Sequence, residues 1–343
     1  MKKITFVRAS DTKYGGAEVY LSRLTNELAK KKLNFNVINS KIPKFLPSWL
    51  RVVIFNFFLC IFKGEKVYFS LDRISCPDIY RAGDGVHKVF LKIIKKSRIN
   101  PLHSIYIYLE KKCFNKAKLI IANSQMVKNE IIATYGINPN KISVIYNGIK
   151  IEKIKKSDAE KEIIKEFSLN KNDIVFLYVG SGFKRKGVED FLLLLSELKF
   201  NFKAFIVGKE KEIHHYTGLA KELKIYEKVS FTGPRVDVKY FYAISDIFIL
   251  PTYYEPFSNV ILEAMLYKNV VFTTLQNGAS EILDDKFVMS SPTDRSIVRT
   301  INKLAQNKEL MQIIQNENHI RVQDFSIENN FSQTLKAINE VVN

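Results

Sequence analysis

Short apolar runs of strand length alternate with segments of helical period along the whole chain. This alternation restricts the fold more than any other feature. Lys3–Val7 is the first run, and a loop ending in Gly15-Gly16 follows it. A helix to about Lys32 then places Val19, Leu21, Leu24 and Leu28 on one face. Phe35–Asn39, Lys66–Ser70, Leu119–Asn123 (with Ser124 as a helix cap) and Ile142–Asn147 continue the pattern. Ile174–Val179, Phe205–Gly208, Val229–Thr232, Ile247–Leu250 and Val270–Thr274 repeat it in the second half. Strands separated by helices pair in parallel, so an α/β protein with two Rossmann-like, doubly wound domains facing across a cleft is predicted. A length of 343 residues suits two domains. They are expected at 1–150 and 151–325, with a charged join over 150–171 and a last helix over 326–343.

Charge divides the chain. Residues 1–150 hold 27 Lys and Arg against 9 Asp and Glu, whereas 151–343 hold 26 of each. A basic half implies an acidic partner. No helix-turn-helix, zinc-finger or RNP-like pattern accompanies it, so nucleic acid is not expected, and an anionic membrane surface or glycolipid fits better. Lys92, Lys95, Lys96, Arg98, Lys111, Lys112, Lys116 and Lys118 are predicted to form the outer faces of amphipathic helices. The most apolar segment, Phe45–Phe62, is broken by Pro47 and Arg51 and is too short to span a bilayer. It reads as a crossover helix on the sheet, with Trp49 and flanking lysines suiting its outer face to a membrane interface. Lys3 to Arg8 already reads as core β, so no secretory signal is expected. Cys60, Cys76 and Cys113 show no paired spacing, so neither a zinc site nor a disulfide is expected, and a reducing cytoplasm is the default.

Two stretches carry chemistry. After the run Ile247–Leu250, Pro251 ends the strand, a short loop holds Glu255, and Ser258 is placed to cap a helix from about Asn259 to Tyr267. Backbone N–H groups at that helix start favour an anion, yet Glu255 and Glu263 stand beside it. A nucleotide sugar reconciles the two, because it offers both phosphate and hydroxyl groups. Glu263 is suited to a ribose diol and Glu255 to hydroxyls of the transferred sugar. After Ile174–Val179, the run Gly180-Ser181-Gly182-Phe183-Lys184-Arg185-Lys186-Gly187-Val188 delivers adjacent cations through glycines. Arg185 and Lys186 suit the charge that develops on a leaving diphosphate. A third candidate is Asp84, flanked by Gly83 and Gly85 on what is expected to be a mobile, unhindered backbone. His87 is the alternative, as an imidazole able to move a proton near neutral pH. His214 and His215 read as surface residues.

The Glu255–Glu263 spacing resembles the Glu-x7-Glu signature of the retaining glycosyltransferases of family 4, which have the GT-B fold. Residues 180–189 resemble that family's phosphate loop, and Tyr80-x-Ala82-x-Asp84 resembles its lipopolysaccharide core glucosyltransferases. The resemblance implies catalytic roles for Asp84, Arg185, Lys186 and Glu255. It implies donor contacts from Gly15, Gly16, Ser181, Gly182, Arg235, Phe257, Ser258, Asn259, Val260 and Glu263. It places the nucleobase by backbone contacts at 232–238, ends the first domain at the turn Asn147-Gly148-Ile149, and returns the last helix to the first domain.

The expected activity is retaining transfer of a hexose, glucose first, from a UDP-sugar to a phosphorylated, membrane-linked glycan. The heptose region of a lipopolysaccharide or lipooligosaccharide core is the expected acceptor. No Asp-x-Asp occurs, so metal-independent transfer without a cofactor is expected, at the inner face of the cytoplasmic membrane. The alternatives are transfer to another surface glycan, such as a capsule, from a different donor, or a basic membrane- or nucleic-acid-binding protein without catalysis. Epimerase and phosphorylase readings of the same fold lack supporting residues.

Overall fold

The computed structural model describes every residue except 1–3, 11–14, 95–99, 153, 154, 168, 171 and 343. Lys3, Lys95, Lys96 and Arg98, to which the sequence gives roles, lie outside the described residues. The chain forms two compact units, residues 1–147 with 327–343, and residues 148–326.

In the first unit, β1 (Ile4–Val7), β2 (Phe35–Ile38), β3 (Val67–Ser70), β4 (Ile79–Ala82), β5 (Leu119–Ala122) and β6 (Ile142–Val144) form one parallel sheet. Its order is β2-β1-β3-β4-β5-β6. Side chains alternate between its faces. Phe6, Phe69 and Ile121 pack with Leu21, Leu24 and Leu28 of the Gly16–Lys30 helix and with Phe331 and Ile338 of the Ile327–Val342 helix. Tyr80, Ile120 and Ala122 pack with Phe114, Val127 and Ile131. The Gln125–Tyr135 helix starts as expected, because the Ser124 hydroxyl accepts from the Val127 N–H at 3.1 Å.

Two features differ from expectation. The sequence predicts no strand at 79–82, yet β4 is fully buried between β3 and β5. Arg81 interrupts the apolar run there, but its charge is matched in the fold. Its guanidinium lies 3.6 Å from the Tyr20 ring centroid and donates to Asn147 Oδ1 at 2.6 Å. The second correction concerns cysteine: Cys60 and Cys76 form a disulfide, and Cys113 is free and buried. Sequence spacing hid the pair because Cys60 lies near the end of the Ser48–Ile61 helix, which returns beside the loop after β3.

In the second unit, β7 (Ile174–Val179), β8 (Phe202–Val207), β9 (Val229–Gly233), β10 (Ile247–Leu250), β11 (Val270–Thr274) and β12 (Val288–Met289) are parallel, in the order β12-β11-β10-β7-β8-β9. A parallel α/β sheet binds ligands beyond the carboxyl ends of its strands, where the strand order reverses. That point lies between β1 and β3 in the first sheet and between β7 and β10 in the second. Among the described residues no helix is long and apolar enough to cross a membrane.

Candidate active site

The two stretches singled out for chemistry leave adjacent strands at the second switch point. β7 and β10 pair directly, Ile247 with Phe176 and Phe248 with Leu177, so the loops after them emerge side by side. The Tyr253 N–H and the Thr252 hydroxyl both donate to Arg185 O, at 2.9 and 3.2 Å, and tie one loop to the other. Gly187 makes this approach possible. Its φ is +72°, and a Cβ there would stand 1.9 Å from Pro251 O. Gly180 does the same for a side chain, since a Cβ would meet the Lys186 stem at 2.7 Å.

The side chains meet at Glu255. Arg185 Nη1 donates to Glu255 Oε2 at 2.8 Å and to Tyr254 O at 2.6 Å, and Lys186 Nζ lies 3.4 Å from the same carboxylate oxygen. Burial pushes the Glu255 carboxyl up, but Lys186 and Arg185 outweigh it and hold it below the usual carboxylate range. Two cations thus share one anion, leaving a net positive centre at a strand end. Such a centre accepts a second, incoming anion and supplies fixed positive charge where a leaving group gains negative charge.

Glu263 lies on the Asn259–Leu266 helix and accepts from the Tyr242 hydroxyl at 3.0 Å. Ser258 occupies the cap position as expected, but its side chain makes no capping bond. Asn277, which the sequence did not single out, organises this corner. It is fully buried, and its Oδ1 accepts from the Ser258 and Ala279 N–H groups at 3.2 and 3.1 Å. Glu255 is clamped beside it: its N–H donates to Gln276 O, and its O accepts from the Gly278 N–H, both at 2.9 Å. Glu210 is a second residue missed. It accepts from the Phe183 N–H at 2.9 Å, while the Ser181 hydroxyl accepts from the Lys209 N–H at 3.0 Å, so the 181–183 loop is held from both sides. An Asn-Gly pair after a strand was the available signal for Asn277; nothing local marked Glu210.

The other residues assigned from sequence divide between the two units. Arg235 is engaged by Glu166 in a bidentate pair, both contacts 2.8 Å, and by Asp237 at 2.8 Å. Phe257 and Ser258 are buried, Asn259 and Val260 half-buried, and Ser181 and Gly182 exposed. Gly15 and Gly16 belong to the first unit, where they begin the Gly16–Lys30 helix and are exposed. Asp84 is in that unit too, exposed and 3.9 Å from Arg73. The backbone expected to be mobile and unhindered is tied on both sides, by Asn123 Nδ2 donating to Gly83 O at 3.1 Å and Arg73 Nη2 to Gly85 O at 3.0 Å. His87 Nε2 lies 3.1 Å from His103 Nδ1; burial first, then Arg73, lowers its pKa to about 4. An imidazole so depressed is a poor proton carrier near neutral pH.

Two family models match: glycosyl transferases group 1 over residues 159–320 and glycosyltransferase family 4 over residues 80–153. An uncharacterized glycosyltransferase of Methanocaldococcus jannaschii is 29% identical over 242 residues, 67% of this chain and 60% of its own length. The N-acetylgalactosamine-N,N'-diacetylbacillosaminyl-diphospho-undecaprenol 4-alpha-N-acetylgalactosaminyltransferase of Campylobacter jejuni is 26% identical over 62% of this chain and 57% of its own length. The chain therefore spans about three-fifths of the length of these curated relatives. Among solved structures, WaaG, a glycosyltransferase involved in lipopolysaccharide biosynthesis, superposes with a TM-score of 0.80 at 18% identity, over 96% of this chain and 98% of that one. Anabaena HepE in complex with UDP and glucose superposes with a TM-score of 0.76 at 20% identity, over 99% of this chain and 100% of that one. The fold is therefore GT-B, with a match to the group 1 glycosyl transferases in the second unit and a match to glycosyltransferase family 4 that begins in the first.

Proposed function

We propose that this protein transfers a hexose, glucose in the first instance, from a UDP-sugar to a phosphorylated, membrane-linked glycan with retention of anomeric configuration. The observation that carries this reading is the Arg185–Lys186–Glu255 cluster at the switch point of the second sheet, with Glu263 on the helix that follows. In this reading Arg185 and Lys186 take the diphosphate, Glu263 the ribose and Glu255 the transferred sugar. The bond from the anomeric carbon to the diphosphate breaks, the acceptor oxygen bonds to the same face, and its proton passes to a phosphate oxygen of the departing UDP. Asp84 acts on the acceptor side. The two cations supply the positive charge, so transfer runs without a metal or other cofactor. The solved structure of HepE with UDP and glucose, and the role of WaaG in lipopolysaccharide biosynthesis, support the donor and the acceptor class by analogy.

A heptose-containing lipopolysaccharide or lipooligosaccharide core is the first acceptor to test. The Campylobacter relative's name favours a second reading, in which the acceptor is another lipid-diphosphate glycan and the donor another UDP-hexose. The protein is placed peripherally at the inner face of the cytoplasmic membrane, where its basic first half meets anionic lipid. Incubation of the purified chain with UDP-[13C]glucose and a membrane glycolipid extract, with and without EDTA, tests this. An α-linked product whose formation is unchanged by chelation is expected. A β-linked product, or transfer abolished by EDTA, contradicts the mechanism.

A further inference from the structure

The first sheet has its own switch point, between β1 and β3, and a cavity of about 690 Å³ opens there. One wall comes from the strand ends. Arg8, just after β1, bonds Glu18 at 2.9 Å and Asp72 at 2.8 Å; Arg73, just after β3, bonds Glu110 at 2.8 Å, with Asp84 at 3.9 Å. On the cavity side this wall is balanced, Arg8 and Arg73 against Asp72 and Asp84, since Glu18 and Glu110 do not line it. The facing wall comes from the Ser48–Ile61 helix and the loop before it, and it is cationic: Lys44 and Arg51. Neither side chain has an ion pair or hydrogen bond among the described residues, and Arg51 Nε is buried with no partner. An unmet buried donor on a fixed cation is costly unless a ligand completes it. The Cys60–Cys76 disulfide fastens the helix to the loop after β3, so the two walls are covalently joined.

A cavity with hydroxyl-binding carboxylates on one side and unpaired cations on the other complements a phosphorylated polyol. The same helix indicates where that polyol is carried. Val53, Phe57, Phe58, Ile61 and Phe62 are exposed on it and just after it, and no acidic residue occurs between Ser40 and Gly64. An apolar face on a segment free of negative charge suits an anionic lipid surface.

We propose that this cavity binds the phosphate group of the acceptor, with Arg51 and Lys44 as its ligands and Asp72 and Asp84 facing the sugar hydroxyls, while the helix rests on the lipid that bears it. This rests on the glycosyltransferase reading above and assigns that reading's acceptor site.

Binding of the full chain to phosphatidylcholine vesicles containing phosphatidylinositol 4-phosphate, or phosphatidylserine at equal surface charge, tests it. A parallel titration uses soluble glucose 6-phosphate. Wild type is expected to prefer the phosphoinositide, and Arg51→Met with Lys44→Gln to lose that preference by on the order of tenfold. Arg51→Lys, which keeps the charge, is expected to retain most of it. Arg51-dependent binding of glucose 6-phosphate without vesicle preference would support the phosphate site and assign it a soluble source. Equal binding of both probes by wild type and the double variant would overturn the proposal. UDP-glucose binding is measured in the same samples. Its retention in the double variant shows that the fold is intact, and its absence in wild type counts against the donor reading alone.

Discussion

Glu255 and His87 are each fixed by neighbours of known charge, and each neighbour sets what the residue can do. Glu255 stays ionised because Lys186 and Arg185 overcome its burial. His87 stays neutral because burial and Arg73 both oppose its proton, lowering its pKa from 6.5 to about 4. The unfolded chain binds a proton at this histidine between those two values and the folded chain does not. Stability from His87 is therefore full above the unfolded value and is lost as pH falls towards the folded one. Urea unfolding at about pH 7 and about pH 4.5 should show a smaller acid loss in His87→Gln than in wild type. Equal losses would mean that His87 titrates normally. Arg185, Lys186 and Glu255 could be singled out in the sequence because each stands in the loop after a strand end, and Glu263 because it lies in the helix that follows. Arg81 and Glu110 were not, because what matches them lies far away in sequence. Glu110, fully buried, accepts from Arg73, the His87 N–H and the Tyr135 hydroxyl, and no local pattern announces that convergence.

Among elements, uninterrupted strands were readable even when only three or four residues long, whereas β4 and β12 were not. β7 and β10 are continuous apolar runs ended by glycine and proline, β11 is an apolar run that finishes in two buried threonines, and the observed bounds of all three match the predicted ones. β4 carries Arg81 at its centre and β12 has two residues, so neither has a period to detect. The junction between β7 and the helix after it depends on one backbone conformation. Gly187→Ala places a Cβ against Pro251 O as well as straining a positive φ, and should cost more than the ~1–3 kcal/mol expected of strain alone. Gly136, at φ +64° with open space around it, serves as the control: Gly136→Ala should cost about 1 kcal/mol. Urea midpoints of the two variants compare them directly. Similar losses would show that the two loops do not depend on close approach at Gly187.

For the whole molecule, two parallel sheets of the same kind carry different charge arrangements at their switch points. The second sheet's switch point gathers a cationic pair with a shared carboxylate, and the first sheet's opens into a cavity with one wall of paired arginines and aspartates and one cationic wall. Net charge did not point to this arrangement: the entire positive surplus lies in residues 1–150, whereas the Arg185–Lys186 pair lies in the neutral half. Alternation of strand and helix showed the fold class; the reversal of strand order, which locates both sites, depends on pairing between strands distant in sequence and is visible only once folded. The central claim is that the cluster after β7 and β10 binds a nucleotide diphosphate sugar. Calorimetric titration of UDP-glucose into wild type, Lys186→Ala and Glu263→Ala tests it most directly. The account predicts binding by wild type and a loss on the order of tenfold or more in each variant; equal binding by all three proteins, or none by wild type to any UDP-hexose, would contradict it.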